Sequence, residues 1–99
     1  MQARVFLPGQ LAELAGGEEI VSVSGQTVGE ALAELVAKHP DLRDRLFTES
    51  GLKRFVNIYL GDEDIRLLEG LDTELEENAE INIVPAIAGG ARYVRSRQW

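Results

Sequence analysis

Ninety-nine residues make one domain with a moderate core, and 44% hydrophobic with 27% charged residues is ordinary globular composition that excludes a disordered chain. The absence of cysteine excludes disulfides, thiolate metal sites and cysteine nucleophiles, and the short apolar runs and the N-terminal layout lead us to expect no membrane span, no signal peptide and a cytoplasmic protein. The net charge of −7 is uneven: all 17 acids fall in residues 1–90, whereas residues 91–99 carry Arg92, Arg95 and Arg97 and no acid, so the body repels nucleic acid and favours a basic partner protein.

In chain order, Ala3 to Leu7 alternates as a strand, with Ala3, Val5 and Leu7 on one face and Arg4 and Phe6 on the other. Residues 10–17 place Leu11 and Leu14 at helical spacing but end in Gly16-Gly17, which predicts a loop or wide hairpin. Glu19 to Ser24 reads as a second strand with Val21 and Val23 on its apolar face. Thr27-Val28-Gly29-Glu30 is a capping box that predicts a helix start. Val28, Ala31, Leu32, Leu35 and Val36 then form one apolar stripe, with Glu30, Glu34 and Lys38 toward water. Pro40 disfavours helical geometry at His39 and ends the helix, and a short helical turn is expected from Asp41 to Phe47.

Lys53 to Leu60 is the strongest strand signal, with Val56, Ile58 and Leu60 alternating against Phe55, Asn57 and Tyr59. Gly61-Asp62 marks a turn, Asp64 to Leu68 a short return strand, and Thr73 to Asn78 an acidic loop. The last strand is expected from Glu80 to Ala86, burying Ile81 and Ile83. One amphipathic helix among these strands implies an α+β fold, a mixed sheet of four or five strands with the helix across one face.

No chemistry-bearing constellation emerges from side chains alone. His39 sits at a helix end, where a capping or partly buried histidine is the ordinary reading. The acid clusters at residues 62–64 and 74–77 lack EF-hand spacing and read as solvated turns, so no metal site is expected. Ser22, Ser24 and Thr27 have no matching histidine and carboxylate for a hydrolase triad.

The order of elements, together with Arg54-Phe55-Val56-Asn57-Ile58-Tyr59, Asp62-Glu63-Asp64-Ile65-Arg66 and Val84-Pro85-Ala86-Ile87-Ala88-Gly89-Gly90, resembles the β-grasp (ubiquitin-like) sulfur carriers of the molybdopterin-synthase and thiamine type. Within them it looks most like the branch that serves thiocarboxylate-dependent cysteine synthesis. The resemblance implies a β-grasp domain over residues 1–88 and a flexible Gly-Gly with a cleavable basic tail over 89–99. It implies a carrier rather than an enzyme, with Gly90, after Gly89, as the glycine whose carboxylate is adenylated and converted to a thiocarboxylate.

Such carriers are co-substrates of an E1-like activating enzyme that uses ATP, and of a sulfur-accepting synthase; for cysteine synthesis that partner is cysteine synthase-like and holds PLP, so no cofactor is expected on this chain. Most members of the family end at Gly-Gly, and some carry C-terminal extensions removed by a zinc-dependent JAMM-type peptidase; here Ala91 follows, so the resemblance implies a proform cut at Gly90–Ala91. Phe55, Asn57 and Tyr59, with Ile87 and Ala88, are the expected partner-binding residues; the alternative is that the aromatic face packs under residues 9–17. A ubiquitin-like modifier joined to lysines through Gly90 is a second reading, and a non-catalytic interaction module a third. Carriage for molybdopterin, thiamine, thio-modified tRNA or a secondary metabolite shares the same glycine chemistry.

Overall fold

Alternating valine, isoleucine and leucine positions pair into one sheet in the computed structural model, which describes residues 1–85. Ala86, Ile87, Ala88, Gly89, Gly90, Ala91 and the rest of the basic tail lie outside the described residues. The elements run β1 (Gln2–Phe6), α1 (Gly9–Leu14), β2 (Ile20–Ser24), α2 (Val28–Lys38), a 3-10 turn (Pro40–Leu42), α3 (Arg43–Leu46), β3 (Phe47–Thr48), β4 (Gly51–Leu52), β5 (Val56–Leu60), β6 (Glu63–Asp64), two more 3-10 turns (Ile65–Leu67, Gly70–Asp72) and β7 (Ala79–Pro85). The sheet order is β2-β1-β7-β5-β6, and β3 and β4 form a separate hairpin. Among the described residues β1 and β7 pair in parallel and the other pairs are antiparallel, so the sheet is mixed. This is the five-stranded α+β arrangement expected of a β-grasp chain.

α2 forms where the capping box places it. Thr27 accepts a hydrogen bond from the Glu30 N–H at 3.2 Å, and the Glu30 carboxylate accepts from the N–H of Gln26 at 2.8 Å, one residue ahead of the cap. The helix stops at His39, which is extended rather than helical ahead of Pro40. Its stripe of Val28, Ala31, Leu32, Leu35 and Val36 is buried against Ala3, Val5, Val21, Val23, Ile58, Ile81 and Ile83 of the sheet. Each fully buried leucine or isoleucine in that interface contributes about 1.5–3 kcal/mol relative to exposure.

Four expectations are corrected. Residues 10–17 are not a loop or wide hairpin: α1 spans Gly9–Leu14, and Leu11, Ala12 and Ala15 enter the core. The Gly16-Gly17 pair that read as a loop is a Schellman stop, with Gly16 at φ +70° and the Gly17 N–H bonded to the Ala12 carbonyl at 2.8 Å. The strand expected from Lys53 begins only at Val56, because the Val56 N–H closes a turn onto the Lys53 carbonyl at 3.1 Å and leaves Phe55 in that turn.

The return strand expected over residues 64–68 ends at Asp64. Its side chain accepts the Arg66 N–H at 2.9 Å, bending the chain into a 3-10 turn that buries Ile65. The helical turn expected to reach Phe47 stops at Leu46, and Phe47 is extended in the β3–β4 hairpin, which the sequence pattern missed. The acidic segment from Thr73 is a loop, as expected. It is anchored where the Val28 N–H donates to the Thr73 carbonyl and the Leu75 N–H to the Gln26 carbonyl, both at 2.9 Å.

A candidate docking face beside the carboxyl-terminal strand

Among the described residues, the helix covers one face of the sheet and the other is left open. Register sets a row across all five strands of the open face: Ile20, Phe6, Asn82, Tyr59 and Asp64 are successive neighbours from β2 to β6. Beside it on one side run Ser22, Arg4 and Glu80, and on the other Val84 and Asn57. Ile20 at 50%, Val84 at 47% and Phe55 at 53% exposure make this an apolar as well as polar surface. Arg4 lies 5.8 Å from the Phe6 ring centroid and pairs with Glu80 at 3.2 Å, so its stem and charge partly shield that ring.

Among the sequence-predicted site residues, Asn57 and Tyr59 stand together on this face, half-buried, and Phe55 flanks them from the preceding turn. Residues 9–17 do not cover them, since α1 turns its apolar side into the core. Val56 pairs with Pro85, so Phe55 lies beside the Pro85 end of β7. A shallow depression lined by Pro8, Gly9, Gln10, Ile83, Val84 and Pro85 adjoins the same point. Ile87, Ala88, Gly89, Gly90 and Ala91, named with these residues, lie outside the described residues.

Arg66 is a further member of this face. Its Nη2 donates to Asn57 Oδ1 at 2.7 Å and to Asp64 Oδ2 at 2.6 Å, and its Nε donates to Asp64 Oδ1 at 3.1 Å. The clamp fixes Asn57 and keeps a guanidinium at the sheet edge. The Arg66 guanidinium bonds first, and the Arg66 main-chain N–H second, hold the Asp64 carboxyl below the usual carboxylate range; the same bonds raise Arg66. Asp64 with its lowered folded value adds stability that is fully present above the unfolded carboxylate value and lost as pH falls through the folded one. In urea titrations, the advantage of the natural chain over Asp64→Asn is therefore expected to be constant at neutral pH and to shrink below about pH 4. An advantage that grows on acidification contradicts the clamp.

His39 sits at the end of α2 with Nε2 3.7 Å from Glu18 Oε1, and Thr27 acts as a cap, so neither belongs to this face. Among the described residues no group of three His, Cys, Asp or Glu is placed to hold a metal ion, and no helix is long and apolar enough to cross a membrane. Sequence reading missed Arg66, Val84, Phe6 and Ile20 as companions of Asn57 and Tyr59. The alternation of β1 contained the signal for Phe6, but the parallel β1–β7 pairing that brings it alongside is not local.

Comparison with known proteins places this surface in context. The model of the ThiS family matches residues 5–90. The sulfur carrier protein CysO of Mycobacterium tuberculosis is 40% identical over 93 residues, covering 91% of this chain and all of the relative. A chain of the crystallised BexX/CysO complex of Amycolatopsis orientalis superposes with a TM-score of 0.82 at 38% identity, covering 89% of this chain and 99% of that one. The small archaeal modifier protein 1 of Methanosarcina acetivorans also gives a TM-score of 0.82, at 33% identity, over 90% of this chain and 96% of that one.

Proposed function

This chain belongs to the ThiS family, and from that premise we propose that it is a sulfur carrier proform whose carrying group is the carboxylate of Gly90, freed by cleavage of the Gly90–Ala91 bond. The observation that carries the reading is that the family match runs through Gly89-Gly90 and stops there, while residues 91–99 follow. Hydrolysis by a JAMM-type metallopeptidase adds water across that bond and leaves a Gly90 carboxylate. An E1-like enzyme then lets one carboxylate oxygen attack the α-phosphorus of ATP, with pyrophosphate leaving. Sulfide sulfur displaces AMP at the Gly90 carbonyl carbon and yields the thiocarboxylate.

The resemblance to CysO supports cysteine synthesis as the destination, with the sulfur passed to an acceptor on a cysteine synthase-like enzyme that holds PLP. Carrier, ATP and PLP thus sit on three different proteins, and this chain supplies the terminal carboxyl and the surface that docks it. Glycine at positions 89 and 90 suits the task, because a segment without Cβ atoms passes through a channel too narrow for other residues. The Phe55, Asn57, Tyr59, Val84 and Arg66 surface beside the Pro85 end of β7 is our choice for the docking face, where half-exposed aromatic and arginine side chains anchor interfaces well.

Intact-mass analysis of the protein recovered from its own host tests the cleavage. A species ending at Gly90 is expected, and recovery of only species that retain Ala91, under sulfur-replete and oxidatively stressed growth alike, contradicts it. A second reading is favoured by the likeness to a small archaeal modifier protein: Gly90 joined to lysines of target proteins. Peptide mapping separates the two, since Gly-Gly remnants on lysines mark conjugation and their absence marks carriage.

A further inference from the structure

A strand at the edge of a sheet exposes unpaired N–H and C=O groups to any other strand. Among the described residues this sheet has two edges, β6 and β2. β6 is two residues long and offers little to pair with, whereas β2 spans Ile20–Ser24. The Glu19 carbonyl accepts from the Leu7 N–H at 2.8 Å and the Gly25 N–H donates to the Met1 carbonyl at 3.0 Å, which sets the odd-numbered residues of this stretch toward β1. Ile20, Ser22 and Ser24 therefore turn their main-chain groups outward.

Two of those outward groups are taken by side chains of α2. The Ser24 N–H donates to Glu34 Oε2 at 3.1 Å, and the Ser22 carbonyl accepts from Lys38 Nζ at 2.7 Å. Glu34 and Lys38 also pair with each other at 3.6 Å, four residues apart on the helix. An exposed helical ion pair of this kind adds little to stability, so its placement against main-chain groups of an edge strand needs another reason. Both side chains remain accessible, Glu34 at 36% and Lys38 at 47% exposure, so the cover is a thin one.

We propose that Glu34 and Lys38 are an edge guard, and that the edge they close is a latent strand-addition site whose fitting partner is β2 of a second copy of this chain. The self-complementarity is in the register: an antiparallel β2–β2 pair centred on Ser22 sets Ile20 opposite Ser24, Ser22 opposite Ser22 and Ser24 opposite Ile20. All three are outward residues, so each pair exchanges two hydrogen bonds about a two-fold axis. On the helix side the same register brings Val21 of one copy against Val23 of the other, both apolar and already beneath an α2 helix. The guard thus keeps the carrier a monomer, with its open face and carboxyl-terminal strand available to enzymes in turn. The inference stands on the strand edge alone, whatever the chemistry at Gly90.

Sedimentation velocity over a range of concentrations, on the full chain, tests it. The natural chain is expected as a 10.9 kDa monomer. Glu34→Ala/Lys38→Ala is expected to self-associate at least about tenfold more tightly, the equivalent of one or two net hydrogen bonds. Adding Ser24→Pro, which removes an outward N–H, is expected to restore the monomer. A folded double variant that stays monomeric overturns the proposal, as does a dimer that survives Ser24→Pro. Should the double variant fail to fold, hydrogen exchange on the natural chain decides. A Ser24 amide protected like those of the strand interior supports the guard, and one exchanging like an unstructured amide overturns it.

Discussion

Replacing Gly90 by isoleucine in the chain ending at residue 90 is expected to lower thiocarboxylate formation by about 10²-fold or more, with the fold unchanged. The loss arises at the reacting centre: a β-branched residue restricts the terminal φ and ψ and adds a side chain at the carboxyl that must align with ATP and then with sulfide. Misplacement of a reacting group by about 1 Å is enough for an effect of that size. The fold is expected to be spared because, among the described residues, the buried core runs from Ala3 to Ile83, well ahead of Gly90 in the chain. Intact mass after incubation with the activating enzyme, ATP and sulfide reads the first part, and far-ultraviolet circular dichroism the second. Loading at the natural rate contradicts the assignment of Gly90.

Leu32→Ala is expected to have the largest effect on stability, about 3 kcal/mol within the 2–5 kcal/mol range for buried leucine truncation. Leu32 is fully buried in α2, among the largest side chains that are so, and neighbours such as Leu35 and Ile81 belong to different elements and cannot all close on the space left. Against a total of about 5–15 kcal/mol for a typical domain, that loss is a large share. It is expected to lower Tm by roughly 12–24 °C at this chain length. Thermal unfolding of Leu32→Ala beside Ala37→Ser, an exposed position on the same helix, checks it; the latter is expected within about 0.5 kcal/mol of the natural chain. Equal effects of the two contradict the placement of the apolar stripe.

Local signals were legible where one short-range rule decided the structure. Thr27 to Glu30 set the start of α2 and Pro40 its end, and alternation sorted Val56 and Ile58 from Asn57 and Tyr59. α1 was misread because Gly16-Gly17 serves equally as a loop and as a helix stop, and only the burial of Ala12 and Ala15 decides between them. Asp64 ended its strand through a side-chain bond to the next-but-one amide, which competes with the ladder at a distance too short for periodicity to detect.

The docking face was half legible for a related reason. Asn57 and Tyr59 follow from the period of one strand, but their neighbours Asn82, Val84 and Phe6 depend on which strands adjoin and in which register. Arg66 reaches Asn57 across nine positions, a link no pattern encodes. Glu34 and Lys38 were visible as helix positions turned to water, whereas their pairing and their bonds to Ser24 and Ser22 emerge only in the folded chain, where α2 lies against β2. The terminal glycines are singled out by resemblance and lie outside the described residues, so their role is a question for chemistry rather than for packing.

That chemistry has a direct measurement. The chain ending at Gly90 is incubated with its activating enzyme, ATP and sulfide, and its mass is followed beside that of the full chain through Trp99. The account predicts that the short chain gains the mass difference between one sulfur and one oxygen, located by fragmentation at Gly90, while the full chain gains nothing until the Gly90–Ala91 bond is cut. Sulfur gained by the uncut full chain, or none gained by the short chain under conditions where the enzyme loads another carrier, contradicts it.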